Sequence, residues 1–278
     1  SFFKDVCERF VKNKRAMIAL VIFLIIALMA IFGPMISPYS YDGMDTAIMN
    51  QRPSAAHWFG TDRFGRDLFT RVLYGARISL MVGIVTAVIN TIIGVIYGGI
   101  AGYVGGRVDM WMMRLTDILY SIPELLYIIL IMLIFGSNVR SIIIGVCVAG
   151  WISMARMVRS QIITLKEQEF ALAAFVLGAN SRRILFKHLI VNSLGTIIVT
   201  ITLMIPQAIF MEAFLSFVGV GISAPMASLG TLAQDARTYL EIFPYQMLFP
   251  VAAICVTIFS LNFIGEGLNS ALNPKGKR

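Results

Sequence analysis

Charge is what this sequence has least of. Only 14% of its 278 residues are Asp, Glu, Lys or Arg, against 58% hydrophobic, and the mean hydropathy is +0.81. A soluble domain needs a charged surface, so this composition excludes one and points to an integral membrane protein. Histidine is nearly absent, with His57 and His188 alone. The three cysteines, Cys7, Cys147 and Cys255, are scattered, the last two inside apolar runs, and no CxxC or His/Cys cluster occurs. Neither a disulfide framework nor a metal site follows, and packing is their default role. No G-x-x-x-x-G-K-[ST] loop is present to cradle phosphates, so the chain itself is expected to hold no ATP and no other cofactor. Without HExxH, a Ser/His/Asp set or paired carboxylates at workable spacing, it is not expected to be an enzyme. The net charge of +8 invites a nucleic-acid reading, but the cations sit in short loops between apolar runs and not on one basic face. That pattern reports topology and excludes nucleic acid as a partner.

What is present is a series of long apolar runs. Residues 1–15 form a basic amphipathic lead-in with Phe2, Phe3, Val6, Phe10 and Val11 available for an interfacial face. Residues 16–36 are uncharged for 21 positions, enough to cross a bilayer, and Gly33-Pro34 and Pro38 are expected to end the span. The run is too long for a cleavable signal peptide and has no cleavage site after it, so it reads as an anchor. A polar outer loop follows over 37–77. Ile78–Gly106 is uncharged for 29 residues and either tilts or extends beyond the membrane. Its Gly94, Gly98, Gly102 and Gly106 recur every fourth position, which lets a neighbouring helix approach closely.

A third span is expected over Ile118–Val139, interrupted by Pro123 and Glu124. A short fourth covers Ser141–Ala155, with Arg140 and Arg156 snorkelling at its ends. The fifth covers Leu189–Met211 and the sixth Ile242–Gly265, followed by a basic tail over 269–278. Ala213–Gln234 is also uncharged, but Gly219, Gly221 and Pro225 argue for a helix end and an outward or re-entrant segment. The expectation is an all-α membrane protein of six transmembrane helices, with a five-helix core over 78–268. Sixteen cations fall on the side of the lead-in, the Arg107/Arg114 loop, the loop after the fourth span and the tail, and seven on the other. The positive-inside rule then places both termini in the cytoplasm.

The densest basic charge of the second half lies in a loop over 166–190. Phe170, Ala174 and Leu177 fall on one face of a short helix with Glu169 at its start, where a carboxylate suits the helix dipole. Gly178 is placed to stop that helix, and Asn180 or Ser181 to cap a second, carrying Arg182, Arg183, Lys187 and His188. Two short helices meeting at a glycine look like a docking knob for a soluble partner, the alternative being an amphipathic hairpin lying on the membrane surface.

The run E-F-A-L-A-A-x-x-x-G with a later H-L-I resembles the EAA loop of ABC importer permeases. Glu169, Ala173, Ala174, Gly178 and His188 match that motif. The resemblance implies a type I ABC importer permease whose loop forms a coupling helix seated in a groove of an ATPase subunit. FGTDRFGRDLFTRVLYGARISL, Phe59–Leu80, is similar to the C-type permease signature of peptide and nickel importers across more than twenty positions. Within it, Gly60 and Gly65 allow tight turns, Asp62 can cap, and Arg66, Asp67 and Arg71 can pair at helical spacing. These residues are expected to shape the outer loop and seat a binding protein. VDMWMMRLTDIL, Val108–Leu119, and the end of the chain from Asn262 lean the same way, towards the oligopeptide-permease C subunit.

The resemblance implies a bacterial cytoplasmic membrane, a second permease subunit of the B type, two ABC ATPase subunits that hold ATP and magnesium, and an extracytoplasmic peptide-binding protein. Oligopeptide is the implied substrate, with a dipeptide or nickel permease as the neighbouring alternative. Two acids lie at membrane depth, where a carboxylate is costly unless paired or wet. Glu212 is either a pathway residue or a wedge at a helix bend, whereas Glu124 reads as a partner for the helix end broken at Pro123. A secondary transporter would need more such acids and two repeated halves, and a membrane scaffold would need no pathway.

Overall fold

The computed structural model describes residues 2–272, which form helices α1 (Phe2–Lys12), α2 (Lys14–Ile36), α3 (Leu68–Val104), α4 (Gly106–Tyr120), α5 (Glu124–Phe135) and α6 (Val139–Ala149). They continue as α7 (Trp151–Lys166), α8 (Glu169–Val176), α9 (Ser181–Arg183), α10 (Ile190–Val218), α11 (Leu229–Arg237) and α12 (Tyr245–Leu272). A π-helical turn over Ile184–Leu189 joins α9 to α10. Among the described residues five helices are long and apolar enough to cross a membrane, or six if the bent pair α4 and α5 counts as one span. This is the architecture of an all-α, multi-pass membrane protein.

Helix α3 is the axis. It has 37 residues, about 55 Å at 1.5 Å per residue, nearly twice the ~30 Å hydrocarbon core. It begins at Leu68, ten residues before the expected start at Ile78, because Asp67 caps it. Charge alone had set the expected boundary, yet Arg71 and Arg77 are accommodated within the helix. Glycines bring α7 against its second half. A Cβ at Gly94 would sit 2.7 Å from Met154 Cγ, one at Gly102 2.7 Å from the Arg159 carbonyl, and one at Gly98 inside contact distance of the Ala155 carbonyl. Gly106 does not continue this stripe: it opens α4 at a positive φ of 56° with nothing near it.

Several boundaries differ from the sequence expectation for local reasons. Pro34 does not end α2, since it lies in the last turn and the Ser37 amide still bonds the Gly33 carbonyl at 2.9 Å. The third span is two helices, α4 and α5, bent by 74° around Ser121–Pro123. The short fourth span is the first part of a 28-residue pair, α6 and α7, continued past Gly150 to Lys166. Arg156 therefore lies inside α7 instead of snorkelling at a helix end: it bonds Asp117 of α4 at 2.9 Å and stacks over Tyr120 at 4.6 Å. Arg159 makes the matching two-pronged pair with Asp109. The 213–234 segment is the last turn of α10, a loop and the short α11, and supplies no further long helix.

One end of the bundle carries α1, α8 and the C-terminal end of α12, and the other carries the 37–67 loop and α11. Phe10 of the lead-in is buried with Ala16, Ala19 and Ile264, and Val6 packs beside them, so this part of the expected interfacial face packs on α2 and α12. Val11 stays exposed. Of the expected basic tail, 269–272 belong to α12, and 273–278 lie outside the described residues.

Candidate functional site

Three features of the fold can act: a helical knob at one end, a locked loop at the other, and a cavity between them. The knob is α8. Its Ala171 is buried in the apolar cluster that holds Val158, Ile162, Ile184 and Leu185, and Ala174 packs against that cluster. The remainder of its apolar surface is bare, with Phe175, Val176 and Leu177 69%, 82% and 86% exposed, and Phe170 and Leu172 open as well. Glu169 occupies the first turn, as the dipole favours. Gly178 holds φ +79°, its amide bonds the Phe175 carbonyl at 3.0 Å, and the Ala179 amide reaches the Ala174 carbonyl at 3.0 Å. That pair of bonds is a Schellman stop, which requires a left-handed residue at this position. Asn180, one of the two alternatives, is the cap of α9: its Oδ1 accepts from the Arg183 amide at 2.8 Å.

Arg182, Arg183 and Lys187 are exposed, and none makes an ion pair among the described residues. His188 lies half-buried on the π-helical turn. Ala173 is exposed on α8. The loop thus brings Glu169, Phe170, Ala173, Leu177, Gly178 and the two arginines to one end of the bundle, with an apolar surface that this chain leaves uncovered.

The locked loop is built on buried charge. Asp62 accepts from the Phe64 and Arg66 amides at 2.8 and 3.0 Å and from Arg66 Nε at 2.6 Å. Asp67 is not a partner of Arg66 or Arg71, which corrects the pairing expected from helical spacing. It caps α3 by accepting from the Thr70 amide at 2.8 Å, and it meets His57 Nδ1 at 2.9 Å. Both arginines turn instead to Asp62 and to Asp235 of α11, with Arg66 3.6 Å and Arg71 3.7 Å from the latter. Arg71 also donates to the Tyr41 carbonyl at 3.1 Å. Gly60 and Gly65 hold φ of +79° and +71°, and a side chain on Gly65 would collide with the Asp45 backbone. Gln246 of α12 ties this loop down by donating to the Thr61 carbonyl at 3.0 Å. Sequence reasoning missed Asp235. Its signal was a lone acid at the end of an uncharged stretch, on the side of the chain otherwise rich in arginine.

The cavity, about 430 Å³, lies midway along the bundle where helices break. Its wall is made by Asn90 of α3, the Tyr120–Glu124 bend, Val146–Ser153 around Gly150, and Met204–Met211 of α10 beside Pro206. Of the two roles open to Glu212, pathway residue or wedge, its position off this cavity favours the second. Its side chain is 0% exposed and accepts hydroxyl bonds from Ser79 at 2.7 Å and Ser216 at 2.8 Å, pinning α10 to α3. Glu124 stands at the broken helix end, in the first turn of α5 just after Pro123, and it also lines the cavity. Among the described residues Glu212 meets two hydroxyls and Glu124 meets none.

Residues 94–278 match the family described as binding-protein-dependent transport system inner membrane component, and residues 1–53 match the N-terminal transmembrane domain of oligopeptide transport permease C. Over 99% of its length the chain is 49% identical to an oligopeptide transport system permease protein OppC of Bacillus subtilis, covering 90% of that protein. It is 48% identical to the dipeptide transport system permease protein DppC of the same organism, with all of this chain and 87% of that protein aligned. The OppC of Escherichia coli K12 is 45% identical across 100% of this chain and 92% of its own length. The chain belongs to the family of binding-protein-dependent transport system inner membrane components. It is a permease subunit of an ABC importer, and the ATP hydrolysis that drives such a system is carried out by separate subunits.

Proposed function

We propose that this chain forms half of the translocation pathway of an oligopeptide importer in a bacterial cytoplasmic membrane. The observation that carries the reading is the bare apolar helix α8, held by a Schellman stop and placed at the opposite end of α3 from the arginine-locked loop. In this reading both termini and α8 face the cytoplasm, as the excess of Lys and Arg at that end favours. The helix seats in a groove of an ATPase subunit, two ATPases close on ATP, and the closure reaches α7 and α10 through the packing of Ala171 and Ala174 on Ile162 and Leu185. A second, B-type permease subunit completes the pathway around the mid-bundle cavity. An extracytoplasmic peptide-binding protein delivers peptide to the loop held by Asp62, Arg66, Arg71 and Asp235. The exposed lipid-facing surface of α2, with Ile18, Leu24, Leu28 and Phe32 outward, suits the perimeter of such an assembly.

A dipeptide cargo is the second reading, favoured by near-equal identity, 49% to an oligopeptide and 48% to a dipeptide permease. ATP-driven uptake of labelled peptides of increasing length, beside nickel, separates the two in proteoliposomes holding the chain with its partner permease, ATPases and binding protein. Uptake that extends beyond the dipeptide supports the oligopeptide reading. Uptake of dipeptide or nickel alone moves the substrate, and no ATP-dependent uptake in an assembled complex overturns the reading.

A further inference from the structure

A polar recess of about 270 Å³ lies at the end of the bundle that carries the arginine-locked loop. Arg66 and Arg71, 5% and 2% exposed, form its base, and the exposed Ser137, Ser223 and Gln234 its rim. The Ser223 amide bonds the Ser137 carbonyl at 3.1 Å, which ties the segment after α10 to the turn between α5 and α6. The chain does not saturate the two guanidinium groups. Arg66 donates from Nε to Asp62 at 2.6 Å, but its Nη1 and Nη2 make no hydrogen bond among the described residues, and Nη2 comes only within 3.6 Å of Asp235. Arg71 Nη2 stops 3.7 Å from the same carboxylate. These outer nitrogens remain open to the recess, whereas Arg71 Nε is sealed from solvent and supplies charge alone. Ion pairs among the described residues join Arg63, Arg66 and Arg71 to Asp62 and Asp235, three cations to two anions, so the cluster keeps one unbalanced positive charge.

The recess also stands in line with the mid-bundle cavity. Helix α10 runs from Met204–Met211 on the cavity to Ser216 on the recess, about 7.5 Å further along its axis, and α5 and α6 lead from the cavity wall to the turn at Ser137. From this arrangement we infer that the recess is a loading site for a monoanionic carboxylate, the free carboxyl terminus of a peptide bound for the cavity. The inference rests on the peptide-importer reading above. The two outer nitrogens of one guanidinium match the two oxygens of a carboxylate, and the second guanidinium adds charge. Buried arginine nitrogens without acceptors carry a desolvation cost that an arriving anion relieves. The Ser137 and Ser223 hydroxyls can add donors at the rim. A dianion such as phosphate is the wrong occupant, because one positive charge is unbalanced and Asp235 in the wall repels the second negative charge. Every linear peptide with a free end carries this carboxylate whatever its side chains, so a site for it holds varied cargo without selecting among sequences.

The test uses the assembled transporter without its binding protein, so that selectivity of that protein does not enter. Saturation-transfer NMR is recorded with trialanine and with trialanine amide, which lacks the carboxylate. The expected result is about tenfold tighter binding of trialanine than of the amide to the wild type, and loss of that preference in Arg66→Gln. Ser223→Asp places a negative charge on the exposed rim without touching the buried ion pairs, so it keeps the test decisive if Arg66→Gln does not assemble. It is expected to weaken trialanine binding about threefold and to leave the amide unaffected or slightly tighter. Equal binding of the two peptides to the wild type, an unchanged preference in Ser223→Asp, or no wild-type binding of trialanine overturns the inference. Weaker docking of the binding protein to Ser223→Asp with the trialanine preference intact would give the recess to an acid of that protein, and overturns it too. ATP-driven uptake by the wild-type preparation, with its binding protein restored, separates the two failures. If uptake of peptide persists, the function stands and only the carboxylate site falls; if it does not, the importer reading falls with it.

Discussion

Arg159 of α7 grips Asp109 of α4 with two guanidinium nitrogens, one on each carboxylate oxygen. Three residues earlier, Arg156 repeats the link to Asp117. Both acids lie in the Val108–Leu119 segment, so its two carboxylates hold α4 against α7 just before the chain bends by 74° into α5. The bend forms one wall of the cavity, and these pairs fix where that wall stands.

Arg159→Ala is expected to release α4 and to lower stability by about 1–3 kcal/mol, the range for a hydrogen-bonded charge pair. Thermal unfolding of the purified complex should show a lower midpoint. The double exchange Asp109→Arg with Arg159→Asp should recover part of the loss, whereas no recovery would mean that the pair does not act as a pair.

Gly98→Ala and Gly99→Ala, one residue apart, should behave differently. A Cβ at Gly98 runs into the Ala155 backbone of α7, while one at Gly99 meets only Leu185 and Ile190 methyls, at 3.5 and 3.6 Å. The first should cost about 1–3 kcal/mol through forced separation of α3 and α7. The second should be near neutral. Fluorescence-detected size-exclusion after a heating series reads the contrast, and equal losses would refute a glycine-mediated helix contact.

Asp235→Asn should loosen the outer loop without harming the rest of the bundle. It removes a carboxylate shared by Arg63, Arg66 and Arg71, two of which are buried. Leaving buried guanidinium groups short of a partner costs roughly 1–3 kcal/mol. Limited trypsin digestion should cut several-fold faster at Arg63, and an unchanged cleavage rate would show that Asp62 alone holds the cluster.

Gly178→Pro and Glu169→Lys should uncouple ATP hydrolysis from transport while membrane insertion stays intact. Proline fixes φ near −65° and is incompatible with the +79° of Gly178. The Glu169→Lys exchange would put an ammonium at the positive end of the α8 dipole, where the native carboxylate is favoured. Phe175→Ala with Leu177→Ala should act without any strain, since both side chains are bare in this chain. ATPase stimulation by the binding protein should fall at least about tenfold, as for loss of exposed anchor side chains at an interface. Normal coupling in the Phe175/Leu177 double variant would remove α8 as the docking element.

Much of this protein was legible from its residues in order. Uncharged runs of twenty or more residues can only be satisfied in lipid by helices, so the helical membrane class followed from composition and run length. The two short helices around Gly178 were legible as well, because caps, dipole charge and a left-handed stop are local features. Boundaries were harder wherever charge is tolerated inside a helix. Arg71 looked like part of the outer loop and Arg156 like a span end, yet each lies inside a helix and is met by an acid far away in the chain, Asp235 for the first and Asp117 for the second.

The surroundings of the two membrane acids were decided by tertiary structure alone. Glu124 and Glu212 are alike in sequence: single carboxylates beside apolar runs. What separates them is that Ser79, 133 positions away, delivers a hydroxyl to Glu212, while the bend at Pro123 turns Glu124 towards open space. Periodicity and local chemistry determine which segments are helices, because those signals act over one turn. Whether a buried charge is satisfied or left unpaired within the chain depends on partners brought together by packing, and no local pattern carries that information.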